Sequence, residues 1–276
     1  MLTYRKKIGF TDWKVTPLLP VERLALTAYR LFSEACLYSP ETGNSVYAPI
    51  LNRQQFYRYL SIEIKEVMTY REIISLPPNA IYLDVGANIG LYCCLAYLSN
   101  PKRILAFEPL PSNLHSLMQL KLLNDMSCLS VYGSPLFSNS DCLVPLEVPS
   151  SFAAAATGAQ IRSAINPANP AVILKTLSLD EVISKENITN VDLIKLDVDG
   201  LELSILNGAT SSLAAKVFSR IICEVQPDDY ESIKEFLESF GYKLINEDPT
   251  YKSKQLMKLN SLSLFDVPRN LLFHRK

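Results

Sequence analysis

The sequence predicts an α/β fold, a doubly wound and mostly parallel sheet of the Rossmann-like kind carrying a helical extension at its N-terminal end. Three observations predict it. Five runs of strand length, IYLDV (81–85), RILAF (103–107), CLSVY (128–132), DLIKL (192–196) and SRIICEV (219–225), are nearly continuous in apolar residues, the pattern of strands buried on both faces. The segments between them carry helical spacing, so strand and helix alternate. A glycine turn follows the first run directly, the position at which such sheets bind ligands.

Taken in order, residues 1 to about 75 differ from the rest. ERLALTAYRLFSEACLY (22–38) and QQFYRYLSIEIKEVMTYREIISL (54–76) repeat apolar residues every three or four positions and read as two amphipathic helices, with SPETGNSVYAP (39–49) as a loop between them. Pro77-Pro78-Asn79 ends the second helix, because proline cannot continue one. This divides the chain into a helical extension, 1–75, expected to cap an acceptor site, and a catalytic domain, 76–276. Beyond the break, LYCCLAYLS (91–99), SNLHSLMQLKLLN (112–124), ELSILNGATSSLAAK (202–216) and YESIKEFLESF (230–240) suit crossover helices, so Cys93, Cys94, Tyr82, Tyr92 and Tyr97 read as core. Residues 133–170, rich in Ser, Pro and Ala, interrupt the alternation. A connection that long is functional or poorly ordered.

Composition narrows the function classes. A chain of 276 residues, 48% hydrophobic and 20% charged, fits one globular domain with a small appendage. It is too apolar for a disordered chain, and nine glycines exclude a collagen-like one. No stretch offers about 18 uncharged apolar residues, so no stable membrane insertion is expected, and MLTYRKKIGFTDWK has no apolar segment of the signal-peptide kind. With 27 Lys and Arg against 28 Asp and Glu, the overall charge does not favour nucleic acid. Six cysteines without a C-x-x-C pair point to reduced thiols and a cytoplasmic protein. Two histidines make an ordinary zinc site an unpromising expectation, and no metal is assigned.

Two constellations carry chemistry. In the first, Asp84-Val-Gly86-Ala-Asn88-Ile-Gly90, glycines let a flat ligand approach the backbone. Glu108, eighteen residues past Gly90 at the end of the second run, stands where a carboxylate accepts both ribose hydroxyls of an adenosine ligand. Nicotinamide dinucleotides and S-adenosylmethionine share this arrangement. The dinucleotide turn is G-x-G-x-x-G, a spacing absent here, whereas a sulfonium and an amino-acid tail need no phosphate cradle and suit a nearby Asp84. In the second constellation, Lys195-Leu-Asp197-Val-Asp199-Gly200-Leu-Glu202, charges gather where a buried strand opens into a loop. Asp197 and Asp199 alternate with apolar residues, and Glu202 begins a helix whose dipole favours a negative charge.

DVGANIG, then FEP, then LDEVI and VDLIKLDVDGLELSILNGA, in that order and spacing, resemble the FkbM-type family of S-adenosylmethionine-dependent methyltransferases over roughly residues 66–246. The resemblance implies a class I methyltransferase fold, S-adenosyl-L-methionine as cofactor, and O-methylation of a hydroxyl on a saccharide, glycolipid or secondary metabolite. Carried over by motif, Asp84, Gly86, Asn88, Gly90, Glu108 and Asp197 bind the cofactor. Lys195, Asp197, Asp199, Gly200 and Glu202 fall on the family's K-x-D-x-E-G-x-E signature, with Asp199 in place of its first Glu. Gly133-Ser-Pro135-Leu-Phe137-Ser138 departs from the family's Ala-Leu-Ser-Asp-like segment beside the adenine. Because an alcohol attacks only as its proton leaves, the expected catalytic set is Asp197 as general base, Glu202 as second choice and Lys195 as the group that orients them. Asp197, Asp199 and Glu224 form an alternative set of oxygen ligands for a divalent cation. The expected partner is a small-molecule or saccharide acceptor. The oligomeric state stays open, and a silent cofactor-binding scaffold or a nicotinamide-dependent oxidoreductase are the competing functions.

Overall fold

The computed structural model describes residues 5–8, 11–14, 34–39, 42–147, 160–161, 171–260 and 263–276. Strands β1 (Arg5–Ile8) and β2 (Thr11–Lys14) pair antiparallel, as do β3 (Glu34–Tyr38) and β4 (Ser45–Pro49). The second hairpin corrects two expectations, since 34–38 reads as helix and 45–49 as loop in the sequence. The reason is a period-two pattern: Ala35 and Leu37 on one strand and Val46 and Ala48 on the other are fully buried, on one face of the pair. The rest of the expected first helix lies outside the described residues.

The expected second helix forms, but in two pieces. Helix α1 (Arg53–Lys65) is capped by Asn52, whose side chain accepts from the Gln55 amide at 2.9 Å, and α2 is Val67–Ile74. Glu66 between them leaves helical geometry, with φ −131° and ψ 66°.

From there the alternation runs as the apolar runs predict: β5 (Ile81–Val85), α3 (Leu91–Tyr97), β6 (Arg103–Phe107), α4 (Pro111–Leu123) and β7 (Leu129–Tyr132). The interruption at 133–170 contributes β8 (Leu143–Glu147) and β9 (Gln160–Ile161), which join β10 (Ala171–Lys175) in a small antiparallel sheet. Then come α5 (Leu179–Lys185), β11 (Leu193–Leu196), α6 (Glu202–Asn207), α7 (Thr210–Ala214), β12 (Arg220–Val225), α8 (Tyr230–Ser239), β13 (Tyr242–Pro249), α9 (Tyr251–Asn260) and β14 (Arg269–Arg275).

The main sheet has seven strands in the order β13-β14-β12-β11-β5-β6-β7. Strands β12, β11, β5, β6 and β7 are parallel, and β14 runs against both of its neighbours. One face packs Tyr82, Ile104 and Leu193 against α3, α4 and the described N-terminal segment, including Leu37, Val46, Phe56 and Tyr59. The other packs Leu83, Leu105, Ile194 and Ile221 against α5 to α8. The N-terminal segment therefore shares a core with the sheet. Among the described residues no helix is long and apolar enough to cross a membrane.

Candidate active site

A cavity of about 590 Å³ opens at the C-terminal ends of β5, β6, β11 and β12, between the sheet and the N-terminal helices. Parallel strands aim their carboxyl ends, and the loops that follow, at one rim, so residues distant in sequence converge there. Of the residues singled out in the sequence, Gly86, Asn88, Glu108, Lys195, Asp197, Asp199 and Glu224 line it. Asp84, Gly90 and Glu202 do not; they stand behind its wall.

The turn after β5 is held from both sides. The amides of Gly86 and Ala87 both donate to the Phe107 carbonyl at 3.0 Å, and the Asp197 amide donates to the Val85 carbonyl at 3.1 Å. Gly86 has φ +79°, and a Cβ added there would lie 2.0 Å from the Asp197 carbonyl oxygen. Glycine is needed at 86 because the end of β11 presses against it. At Gly90, φ +82°, the added Cβ would meet the Leu117 and Leu120 side chains at 2.7 and 2.8 Å, so this glycine serves the packing of α4.

Two buried glutamates fasten the loops. Glu108 accepts from the Asn88 amide through Oε2 and from the Leu110 amide through Oε1, both at 2.8 Å. Burial, outweighing these bonds, pushes its carboxyl up to about 7. Glu202 does the same beyond β11: its oxygens accept from the Val198 and Gly200 amides at 3.0 Å, and burial again raises it to about 7. Asp199 (φ +56°) and Gly200 (φ +100°) make the tight turn that Glu202 holds.

At the centre, Lys195 is 1% exposed and its Nζ lies 2.8 Å from Asp197 Oδ2 and 4.8 Å from the centre of the Tyr92 ring. Burial opposes the ammonium, but Asp197, Asp84 and Glu66 together hold it above the usual lysine range. Asp84 is fully buried, and its Oδ2 accepts from the Cys93 thiol at 3.3 Å. Burial raises Asp84, with Lys195 working the other way. Asp197 remains partly open, its side chain 31% exposed on the cavity.

Sequence reading missed two contributors to this centre. Tyr92, assigned to the core, lines the cavity and donates its hydroxyl to Glu66 Oε2. Glu66 occupies the break between α1 and α2, where burial first and Asp197 second push its carboxyl up. Glu224 is raised in the same way on β12. The only signal for Glu66 was a charged residue inside an otherwise amphipathic stretch, which resembles any solvated helix position. The insertion has a role as well: its Pro135, Leu136 and Leu146 line the cavity, as does Phe107 at the end of β6. Asp197, Asp199 and Glu224, weighed as cation ligands, are not gathered into a ligand set; among the described residues no three His, Cys, Asp or Glu are placed to hold a metal ion.

A seven-stranded sheet with one reversed strand next to its edge, and a carboxylate-rich cavity over the central strands, define the molecule as a class I, Rossmann-like methyltransferase fold. The chain belongs to the FkbM methyltransferase family, whose S-adenosylmethionine-dependent catalytic domain, described as "Methyltransferase FkbM domain", matches residues 84–244. Among its relatives, the hexuronic acid methyltransferase AglP of Haloferax volcanii is 28% identical over 143 residues, 51% of this chain and 54% of that protein. Methyltransferase sdnD of Sordaria araneosa is 25% identical over 243 residues, covering 76% of this chain and 94% of sdnD. A 70-residue stretch is 44% identical to the AMB antimetabolite synthetase AmbE of Pseudomonas aeruginosa, 25% of this chain but 3% of that one. The chain thus spans about half of AglP and a small part of AmbE. Among solved structures, an FkbM methyltransferase from Methylobacillus flagellatus superimposes with a TM-score of 0.48 at 16% identity, over 80% of this chain and 54% of that one.

Proposed function

We propose that this chain methylates an oxygen of a small-molecule or saccharide acceptor, using S-adenosylmethionine. The observation that carries this reading is the position of Asp197: it is open to the cavity, held at 2.8 Å by a buried lysine, and faces a space bounded by Glu66, Tyr92 and Glu224. The residues present fit the cofactor. The apolar lining residues Phe107, Pro135, Leu136 and Leu146 suit a flat heterocycle, and the turn from Gly86 to Asn88 brings backbone to the cavity wall. Glu108, at the end of β6, lines the same cavity within reach of ribose hydroxyls. The lining carboxylates suit a cation. When bound, the cofactor supplies an electrophilic methyl group on a positively charged sulfur.

The chain's own residues then do three things. The cavity walls align the acceptor oxygen with the methyl group, which displacement requires. Asp197 Oδ1, the oxygen that does not face Lys195, takes the hydroxyl proton as the oxygen attacks. Lys195 fixes the carboxylate for that task. Glu202 is the weaker choice of base, because both of its oxygens already hold the 198–200 loop and it lies off the cavity. A saccharide acceptor is supported by AglP, named as acting on hexuronic acid.

Calorimetry with S-adenosylhomocysteine and with NAD tests the cofactor, and a panel of hydroxylated glycans and lipids with methyl-labelled S-adenosylmethionine tests the transfer. NAD binding without adenosylhomocysteine binding would replace this reading with an oxidoreductase. Adenosylhomocysteine binding with no transfer to any acceptor would favour a silent scaffold.

A further inference from the structure

Helix α1 presents one continuous face to the cavity. Arg58, Ser61, Ile62 and Lys65, spaced i, i+3, i+4 and i+7, all line it. In an amphipathic helix an inward face of this kind is normally apolar, and here it carries two cations about 10 Å apart along the axis. Arg58 makes no hydrogen bond or ion pair among the described residues, and Lys65 Nζ sits 4.2 Å from the centre of the Tyr57 ring. Asp197, Glu224 and Glu108 line the same cavity, which therefore holds both cations and carboxylates.

We infer that Arg58 and Lys65 form an anion subsite, and that the acceptor carries a carboxylate or phosphate group seated there while its reacting oxygen reaches Asp197. This inference rests on the reading of the cavity as a methyl-transfer site and adds the chemical class of the acceptor. Charge supports it in two ways. Burial and the neighbouring Arg58 both lower Lys65, so the cations disfavour each other until a negative group lies between them. Glu66, the next residue in the chain, offsets this only in part: it raises Lys65, but burial and Asp197 push Glu66 toward its neutral form, and its Oε2 is engaged by Tyr92.

The test uses three hexose probes of similar size, methyl α-D-glucoside, glucuronate and glucose 6-phosphate, titrated by calorimetry into the protein with and without S-adenosylhomocysteine. Glucuronate or the phosphate should bind roughly tenfold or more tightly than the neutral sugar, as expected of a charge-assisted contact. The advantage should shrink with added NaCl and be lost in Arg58→Gln and Lys65→Gln, while adenosylhomocysteine affinity and melting temperature hold. Preference for a carboxylate or a phosphate identifies the source of the charge. Equal binding of all three probes, binding of none, or an anion preference that survives both substitutions would overturn the subsite. Failure of adenosylhomocysteine to bind refutes the cofactor reading instead, and the probe comparison in the unliganded protein still decides this one.

Discussion

At the scale of single residues, the energetics of the site turn on Lys195, an ammonium with 1% exposure whose nearest countercharge is Asp197. The sequence presents Asp197→Asn as a clean catalytic substitution that spares the fold. The ion pair adds a structural cost, because a buried charge loses part of its compensation. Asp197 is partly exposed, and Asp84 and Glu66 remain near Lys195, so the loss is modest, about 1 kcal/mol. Turnover on an accepted substrate should fall about 10²-fold or more. Melting temperature and specific activity on one preparation separate the roles; full activity in the folded fraction would leave Asp197 as nothing more than a neutraliser. The two turn glycines give a second contrast. Gly86→Ala drives its Cβ into a backbone carbonyl, whereas Gly90→Ala meets only leucine methyl groups that can move. Both pay for a left-handed backbone, about 1 to 3 kcal/mol. Urea denaturation should show Gly86→Ala as clearly the more damaging, and equal losses would contradict the close approach of β11.

At the scale of elements, the site depends on loops tied to one another by carboxylates. Glu108 joins the turn after β5 to the start of α4 by two backbone bonds, which exceeds the ribose role that its position at the end of β6 suggests. Glu108→Ala should therefore weaken S-adenosylhomocysteine binding by about 1 to 3 kcal/mol and also lower stability by a comparable amount. Calorimetry and thermal melting together check this, and a loss of affinity with an unchanged melting temperature would mean that the loop ties contribute little. The break between α1 and α2 works similarly. A single uninterrupted helix across 53–74 would keep Glu66 in regular register, while the break brings it to Tyr92 and the cavity.

At the scale of the whole molecule, carboxyls with raised proton affinity are concentrated around one cavity. Glu108 and Glu202 are pushed to about 7, and Asp84, Glu66 and Glu224 are raised as well, in every case chiefly by burial. Each binds protons more tightly folded than unfolded, so its contribution to stability is complete below about pH 4.5 and is lost as pH rises through its folded value. Carboxyls lowered by surface ion pairs, such as Asp141 and Glu181, act only at more acid pH. The unliganded protein should consequently melt at a lower temperature at pH 8 than at pH 5.5. A melting temperature that rises across that interval would show that these groups are ionised in the folded state without penalty. A cationic ligand favours the ionised carboxylates, so S-adenosylmethionine should stabilise the protein more at pH 8 than at pH 5.5.

What the sequence determined by itself is the part governed by short-range pattern. Continuous apolar runs define β5, β6, β7, β11 and β12 because strands buried on both faces have no other composition, and D-x-G-x-N-x-G and K-x-D-x-D-G-x-E mark the loops because tight turns and buried charges demand those residue types. Strands β13 and β14 escaped: β13 is a largely polar strand at the sheet edge, and β14 beside it buries Arg269 and Asn270 along with its apolar residues, so neither is a continuous apolar run. Only the tertiary structure decided which motif residues reach the cavity. It set Asp84, Gly90 and Glu202 behind the wall and Asp197 upon it, and it brought Glu66, Tyr92, Arg58 and Lys65 from elements whose spacing reads as ordinary helix. Helical period tells which residues share a face, but what that face meets depends on contacts between parts of the chain far apart in sequence, and that information is not present in any local window.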